Sequence, residues 1–185
     1  MFARQSEMVT SEKLILAYWL LPSEPARSYF VSLISNLAGQ FGAPVFEPHL
    51  TIYATRKGNE KADEVLHRVS SRCRPLRLSV RGLDHSEEFT KTVFVQFEPN
   101  NGLTRLSGAL QRASAFPDSY QLNPHLSLIY KTMSRETKEK IADSISLPFD
   151  EVLFDSANAV ISPAEIKSRA DVEAWLVVAT QRLTE

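Results

Sequence analysis

Two short segments of this 185-residue chain nearly repeat each other. The first is Pro48-His49-Leu50-Thr51-Ile52-Tyr53, and the second, 76 residues later, is Pro124-His125-Leu126-Ser127-Leu128-Ile129-Tyr130. Each sets a histidine two residues before a hydroxyl, inside an apolar run that reads as a strand. Successive strand side chains point to opposite faces, so His49 shares a face with Thr51, and His125 with Ser127. Such a pairing suits phosphoryl chemistry. A neutral imidazole removes a proton, a protonated one supplies it, and two hydroxyls hold phosphoryl oxygens between them.

A lone His-x-hydroxyl arises easily by chance, whereas two copies are specific when each follows proline and each precedes leucine. The other histidines lack this setting. His67 falls on the polar face of a helix, and His85 in a charged turn, so both read as surface residues. Cys73 falls on an apolar helical face and reads as a buried, inert thiol.

The elements that must position the two motifs can be read from periodicity. Residues 13–21 form an apolar run around Trp19, closed by Pro22, which predicts a buried strand. Ser23 offers an N-cap to a helix over 24–41, whose stripe is Tyr29, Phe30, Leu33, Ile34, Leu37 and Phe41. The first histidine strand follows over 49–54. A second helix fits 60–73, with Asn59 as its cap, and Leu76, Leu78 and Val80 then alternate with polar residues as a strand.

Residues 89–97 read as another strand across a turn at 84–88, with Lys91 and Thr92 at its start, within reach of the motifs but not placed by sequence, and Leu103, Leu106, Leu110 and Ala113 mark a third helix. The second histidine strand occupies 125–130. Ser134 caps a weaker helix over 135–145, and two strands close the chain at roughly 150–161 and 172–181, on either side of a charged stretch at 165–171. Trp175 is assigned to core packing in the last strand. The order is β-α-β-α-β-β-α-β-α-β-β, and a cut near 87–89 gives two similar runs, each with one histidine strand. Tyr130 lies five residues after His125, on the opposite face by simple parity, so a place beside His125 requires a bulge or a strand end.

Composition narrows the class. Hydrophobic residues make up 43% and charged residues 23%, ordinary for a globular chain. A formal net charge of −1 gives no support for tight, sequence-independent binding to long nucleic acid. The arginines at 68, 72, 74, 77 and 81 read as a solvated face. One cysteine makes no disulfide framework, and no carboxylate pattern completes a metal site around the histidines. No segment has the length of a membrane helix or the core of a signal peptide, so a cytoplasmic protein with a loose terminus at 1–12 is expected.

The paired motifs, with the residues around them, resemble the 2H phosphoesterase superfamily, and most of all its cyclic phosphodiesterase branch. The resemblance implies an α+β fold over residues 1–185 as a single bilobal unit. In that fold two lobes related by pseudo-two-fold symmetry, each an antiparallel sheet with flanking helices, enclose a central cleft. It implies metal-independent hydrolysis of a cyclic phosphodiester on ribose, with no cofactor. The substrate would be a nucleoside 2',3'-cyclic phosphate, opened to the 2'-phosphate, or ADP-ribose 1'',2''-cyclic phosphate, opened to the 1''-phosphate. His49 and His125 would transfer protons, Thr51 and Ser127 would hold the phosphate, Tyr130 would contact substrate, and Trp19 would cover the base or ribose. Which histidine is base and which acid stays open, and a monomer is expected. An RNA end-processing enzyme is the alternative, although the RNA-ligase-like branch carries threonine in both motifs and a basic residue soon after the second. Ser127 and Tyr130 depart from that pattern. A non-catalytic nucleotide-binding module would not need two proton-transfer groups.

Overall fold

The structure, a computed structural model, describes residues 14–71, 73–117 and 119–184. The N-terminal segment read as a loose terminus, and Arg72 of the basic tract, lie outside the described residues. Along the chain the elements are β1 (Leu14–Pro22), α1 (Ala26–Phe41), β2 (Leu50–Arg56), α2 (Ala62–Ser70), β3 (Leu76–His85), β4 (Val93–Phe97), α3 (Asn101–Ala113), β5 (His125–Ile129), α4 (Arg135–Ser144), β6 (Glu151–Pro163), α5 (Arg169–Glu173) and β7 (Leu176–Arg182). The order matches the sequence reading, with α5 added where the charged stretch meets the last strand, which begins at Leu176 rather than at 172.

All strand pairings are antiparallel, in the order β1-β2-β5-β4-β3-β6-β7, with a further β1–β6 pairing. Two strand groups emerge. In lobe A, β2, β1, β6 and β7 lie side by side; in lobe B, β5, β4 and β3 do, with the first residues of β6 beside β3. β6 reaches both because it is 13 residues long. Its start pairs with β3 over Glu151–Phe154, and its remainder runs between β1 and β7. The lobes also meet where the motif strands touch, at Leu50 opposite Leu126.

The duplication is visible in this topology. The unit β1-α1-β2-α2-β3 corresponds to β4-α3-β5-α4-β6, and each unit places its last strand in the other's lobe. The helices cross as well: α2 and α3 pack together over lobe A, while α1 and α4 cover lobe B. This exchange leaves apolar stripes with buried partners on both sides. Phe30, Ile34 and Leu37 of α1 are buried, as are Leu103, Leu106 and Leu110 of α3.

Alternation along β1 separates core from cleft. Leu16, Tyr18 and Leu20 enter the main core, whereas Ile15, Ala17 and Trp19 line the cleft. Several helix caps differ from expectation. Ser23 does not cap α1; its N–H donates to Leu153, and the Glu24 carboxylate instead accepts from the Ser28 N–H. Nor does Asn59 cap α2, which starts after Lys61 with no side-chain cap and ends at Ser70, so Cys73 lies beyond the helix and is half-exposed. Asn100 and Ser134 do cap α3 and α4, through their hydrogen bonds from Leu103 and Thr137. The strand read from residue 89 begins at Val93, because Phe89–Lys91 wind into a single 3-10 turn.

Candidate active site

Both histidine motifs line one cleft of about 290 Å³, bounded by β1 and β2 of lobe A, β5 and the 3-10 turn of lobe B, and the segment leading through α5 to Trp175. His49, immediately before β2, and His125, the first residue of β5, are held alike. His49 Nδ1 lies 2.7 Å from the carbonyl oxygen of Glu47, and His125 Nδ1 lies 2.8 Å from that of Asn123. A carbonyl only accepts, so each Nδ1 carries the hydrogen, which leaves Nε2 as the nitrogen free for proton transfer.

Paired bulges aim the rest of each motif. In β2, Tyr18 pairs with Tyr53 but Trp19 pairs with Thr51, so Ile52 is the extra residue. In β5, Val93 pairs with Ile129 but Phe94 pairs with Ser127, so Leu128 is the extra residue, at the position matching Ile52. Each bulge reverses the alternation beyond it. Tyr130 therefore comes to the same face as His125 and Ser127, by the route that parity demanded. Its counterpart in the first motif is Ala54, which lines the cleft, while Tyr53 turns into the core and its hydroxyl donates to the Phe116 carbonyl.

The cleft brings together all six residues singled out from sequence: Trp19, His49, Thr51, His125, Ser127 and Tyr130. Their settings are unequal. Trp19 is only 4% exposed, and its ring stacks on His49 with centroids 3.8 Å apart. One indole face is thus occupied by the imidazole rather than open as a platform for a base. The corresponding residue of lobe B, Phe94, meets His125 edge-on at 5.5 Å. Thr51 makes no side-chain hydrogen bond among the described residues, so its hydroxyl is free to donate. Ser127 donates to the Thr90 carbonyl at 2.7 Å, which commits its only proton.

Burial sets the protonation states. It pulls His49 down to about 4, against the opposing hydrogen bond to Glu47, with the charge of His125 lowering it further. Burial also lowers His125, opposed by its bond to Asn123; Lys91 lowers it and Glu88 raises it. The Tyr130 phenol is pushed well above its ordinary value by burial, so it is a neutral hydroxyl.

Several residues of the site were not found by reading the sequence, and Lys91 and Thr92, noted there at the start of a strand, are placed only by the structure. Trp175, assigned to the core of the last strand, lies between α5 and β7; it meets Trp19 at 5.0 Å and His49 at 5.6 Å, both edge-on. Phe46 stacks on Tyr130 at 4.0 Å, and with Ile34 and Val172 they form a small apolar cluster joining α5 to α1. No periodicity links positions so far apart. Glu88, Thr90 and Lys91 reach the cleft on the 3-10 turn, whereas Thr92 is buried and its hydroxyl hydrogen-bonds the Phe89 and Lys131 carbonyls. His67 is exposed, with Nδ1 near the Gln181 side chain, and His85 lies 3.9 Å from Glu139, away from the cleft lining. Arg77 and Arg81 face Glu151 and Glu98 on the surface, as a solvated face requires. Among the described residues no cluster of three or more His, Cys, Asp or Glu could hold a metal, and no helix is long and apolar enough to cross a membrane.

A family model described as the 2'-5' RNA ligase superfamily matches residues 27–160, which span both motifs. The chain belongs to this superfamily, the 2H phosphoesterases. Among curated proteins, a cyclic phosphodiesterase of Arabidopsis thaliana is 22% identical over 178 residues, covering 93% of this chain and 97% of that protein. Among solved structures of similar fold, TT0787 of Thermus thermophilus superposes with a TM-score of 0.60 at 19% identity, covering 91% of this chain and 97% of the other. Escherichia coli LigT, solved with phosphate, gives a TM-score of 0.56 at 14% identity, covering 94% and 99%. The 2H phosphoesterase fold thus accounts for nearly the whole chain, and the cleft described above lies between its two lobes.

Proposed function

We propose that this 2H phosphoesterase hydrolyses cyclic phosphodiesters on ribose without a metal. The carrying observation is the matched pair of imidazoles in one cleft, each fixed through Nδ1 with Nε2 free, and each followed by a hydroxyl two residues on. A cyclic phosphodiester holds phosphorus in a five-membered ring between two ribose oxygens, and its hydrolysis needs a nucleophile in line with the oxygen that leaves. Groups on opposite walls of a pseudo-symmetric cleft meet that need. The similarity to a curated cyclic phosphodiesterase and the structures of LigT with phosphate and with 3'-AMP support the substrate class.

In the proposed reaction His49, kept neutral by burial, takes a proton from water at Nε2 as the water oxygen bonds to phosphorus. His125, beside the Glu88 carboxylate, gives its Nε2 proton to the departing ribose oxygen as the phosphorus–oxygen bond breaks. Thr51 donates to a non-bridging oxygen from lobe A. Ser127 does the same only by releasing Thr90. Trp19 shields His49 from water, and Tyr130, backed by Phe46, contacts the nucleoside with its neutral hydroxyl. The products are a nucleoside 2'-phosphate or ADP-ribose 1''-phosphate. The near-neutral charge of the chain favours such small substrates over long RNA.

The test uses purified protein in excess EDTA with the four 2',3'-cyclic mononucleotides, ADP-ribose 1'',2''-cyclic phosphate and a short RNA with a cyclic end. Turnover of the small compounds is expected. Turnover of the RNA alone would assign the site to RNA ends, and turnover of none would remove the hydrolase reading.

A further inference from the structure

The two walls of the cleft offer a bound phosphate different groups. In lobe A the Thr51 hydroxyl is free, whereas in lobe B the Ser127 hydroxyl points its proton at the Thr90 carbonyl. With that proton held, the second motif presents an acceptor rather than a donor, and the donors left on this wall are the neutral Tyr130 hydroxyl and the side chain of Lys91. Lys91, one residue after Thr90, stands at that wall, and among the described residues it is the only lysine or arginine lining the cleft.

Its ammonium makes no ion pair among the described residues. It rests over the Phe94 ring at 4.4 Å, and Phe94 in turn packs on His125 at 5.5 Å. The ammonium and the imidazole thus both pack against Phe94, which holds the position in lobe B that Trp19 holds in lobe A. Among the described residues Glu88 is the one carboxylate lining the cleft, also on this wall, and it pairs with Lys91 only through the backbone, the Lys91 N–H donating to the Glu88 carbonyl.

The turn that carries Lys91 is fixed from behind. Lys138 of α4, 1% exposed, donates to the Ser86 carbonyl and the Glu87 carboxylate. The Ser86 hydroxyl donates to the Lys91 carbonyl and accepts from the Glu88 N–H, and Thr92 ties the far end to Phe89 and Lys131. These bonds fix the backbone from which the Lys91 stem springs, and the Phe94 ring holds its ammonium at the cleft wall; a charge held beside developing negative charge lowers a phosphoryl-transfer barrier.

We propose that Lys91 is a catalytic residue whose ammonium contacts a non-bridging oxygen of the reacting phosphoryl group from the His125 side, in place of the occupied Ser127 hydroxyl. The proposal rests on the cyclic phosphodiesterase reading of the cleft. As the water oxygen bonds to phosphorus, negative charge grows on the non-bridging oxygens; Thr51 meets it with a hydroxyl and Lys91 with a full charge. Lys91 loses no proton in the step.

The experiment compares wild type, Lys91→Met and Lys91→Arg on a substrate with a single phosphate, 2',3'-cyclic AMP, and on ADP-ribose 1'',2''-cyclic phosphate, which carries further phosphates. In Lys91→Met, kcat on both is expected to fall by about 100-fold, the usual effect of removing one donor to a developing oxyanion, with KM changed much less. Lys91→Arg should recover most of that loss. The limb of the pH profile governed by His125 should move to higher pH in Lys91→Met, because a charge that lowers His125 has gone. Wild-type turnover with Lys91→Met within about threefold of it would overturn the role. A loss confined to ADP-ribose 1'',2''-cyclic phosphate would overturn it too, by showing that the ammonium binds a remote phosphate, as would a loss that Lys91→Arg shares in full. A wild type inert on both substrates would remove the underlying reading and the role together.

Discussion

Replacing Trp19 with leucine tests how the cleft sets the state of His49. The indole covers one imidazole face at 3.8 Å, and Phe46 and Trp175 meet the ring edge-on at 6.2 and 5.6 Å. Burial is the chief reason that His49 is pulled to about 4. The gap from the ordinary 6.5 corresponds to roughly 3 kcal/mol in favour of the neutral ring. Trp19→Leu keeps an apolar side chain but admits water to one of the covered faces, so His49 should rise by about one pH unit. Titration of the His49 ring proton by NMR measures this directly. The acid limb of kcat/KM should follow, because a base works only when neutral. Stability carries the same sign. A histidine whose value falls on folding leaves stability intact above about 6.5, and costs stability as the pH drops from there toward 4, where the unfolded chain takes up the proton first. That acid sensitivity should shrink in Trp19→Leu. A stacked indole also attracts a cation through its π face, which would raise His49 in the wild type. If His49 titrates unchanged or lower in Trp19→Leu, stacking outweighs desolvation and the reasoning fails.

Other consequences follow from the same geometry. Thr51→Val, which removes the free hydroxyl at constant shape, should lower kcat by about 100-fold, whereas Ser127→Ala, whose proton is already held by Thr90, should cost less than about 10-fold; steady-state kinetics on 2',3'-cyclic AMP separates them. Lys138→Met should destabilise the fold by about 1–3 kcal/mol, read from urea unfolding, because it removes the charged donor that ties the Ser86 carbonyl to α4. The same variant should lower kcat, since the turn bearing Thr90 and Lys91 loses its tether. In EDTA the wild-type profile of kcat/KM should be bell-shaped with its acid limb near 4 and its optimum below about 6.5, as both histidines are lowered by burial; an optimum in the alkaline range would contradict those environments.

The element order was legible because each helix has a single apolar stripe and each motif strand a run of apolar neighbours. The motif residues were legible because their types recur together. What sequence did not show was how two units share a sheet: β6 serves both lobes because its length lets it run from β3 to β1 and β7, a choice set by tertiary pairing rather than local preference. Bulges at Ile52 and Leu128 were equally silent, since neither residue is a glycine or otherwise unusual for a strand, although Tyr130 hinted that one was needed. Trp175 was misplaced for a related reason. Its apolar neighbours Leu176 and Val177 suggested a buried strand, yet they are among the most exposed apolar residues of the chain, and the indole turns back over His49 instead.

The central claim is that His49 and His125 act as two opposed proton-transfer groups on one phosphate. The most direct measurement is kcat for 2',3'-cyclic AMP in excess EDTA with wild type, His49→Ala and His125→Ala, each variant checked for its fold by circular dichroism. The account predicts 2'-AMP as the product and a loss of at least about 100-fold in each variant, with the fold retained. Near-native turnover by either folded variant, or wild-type activity that EDTA abolishes and a divalent metal restores, would contradict it.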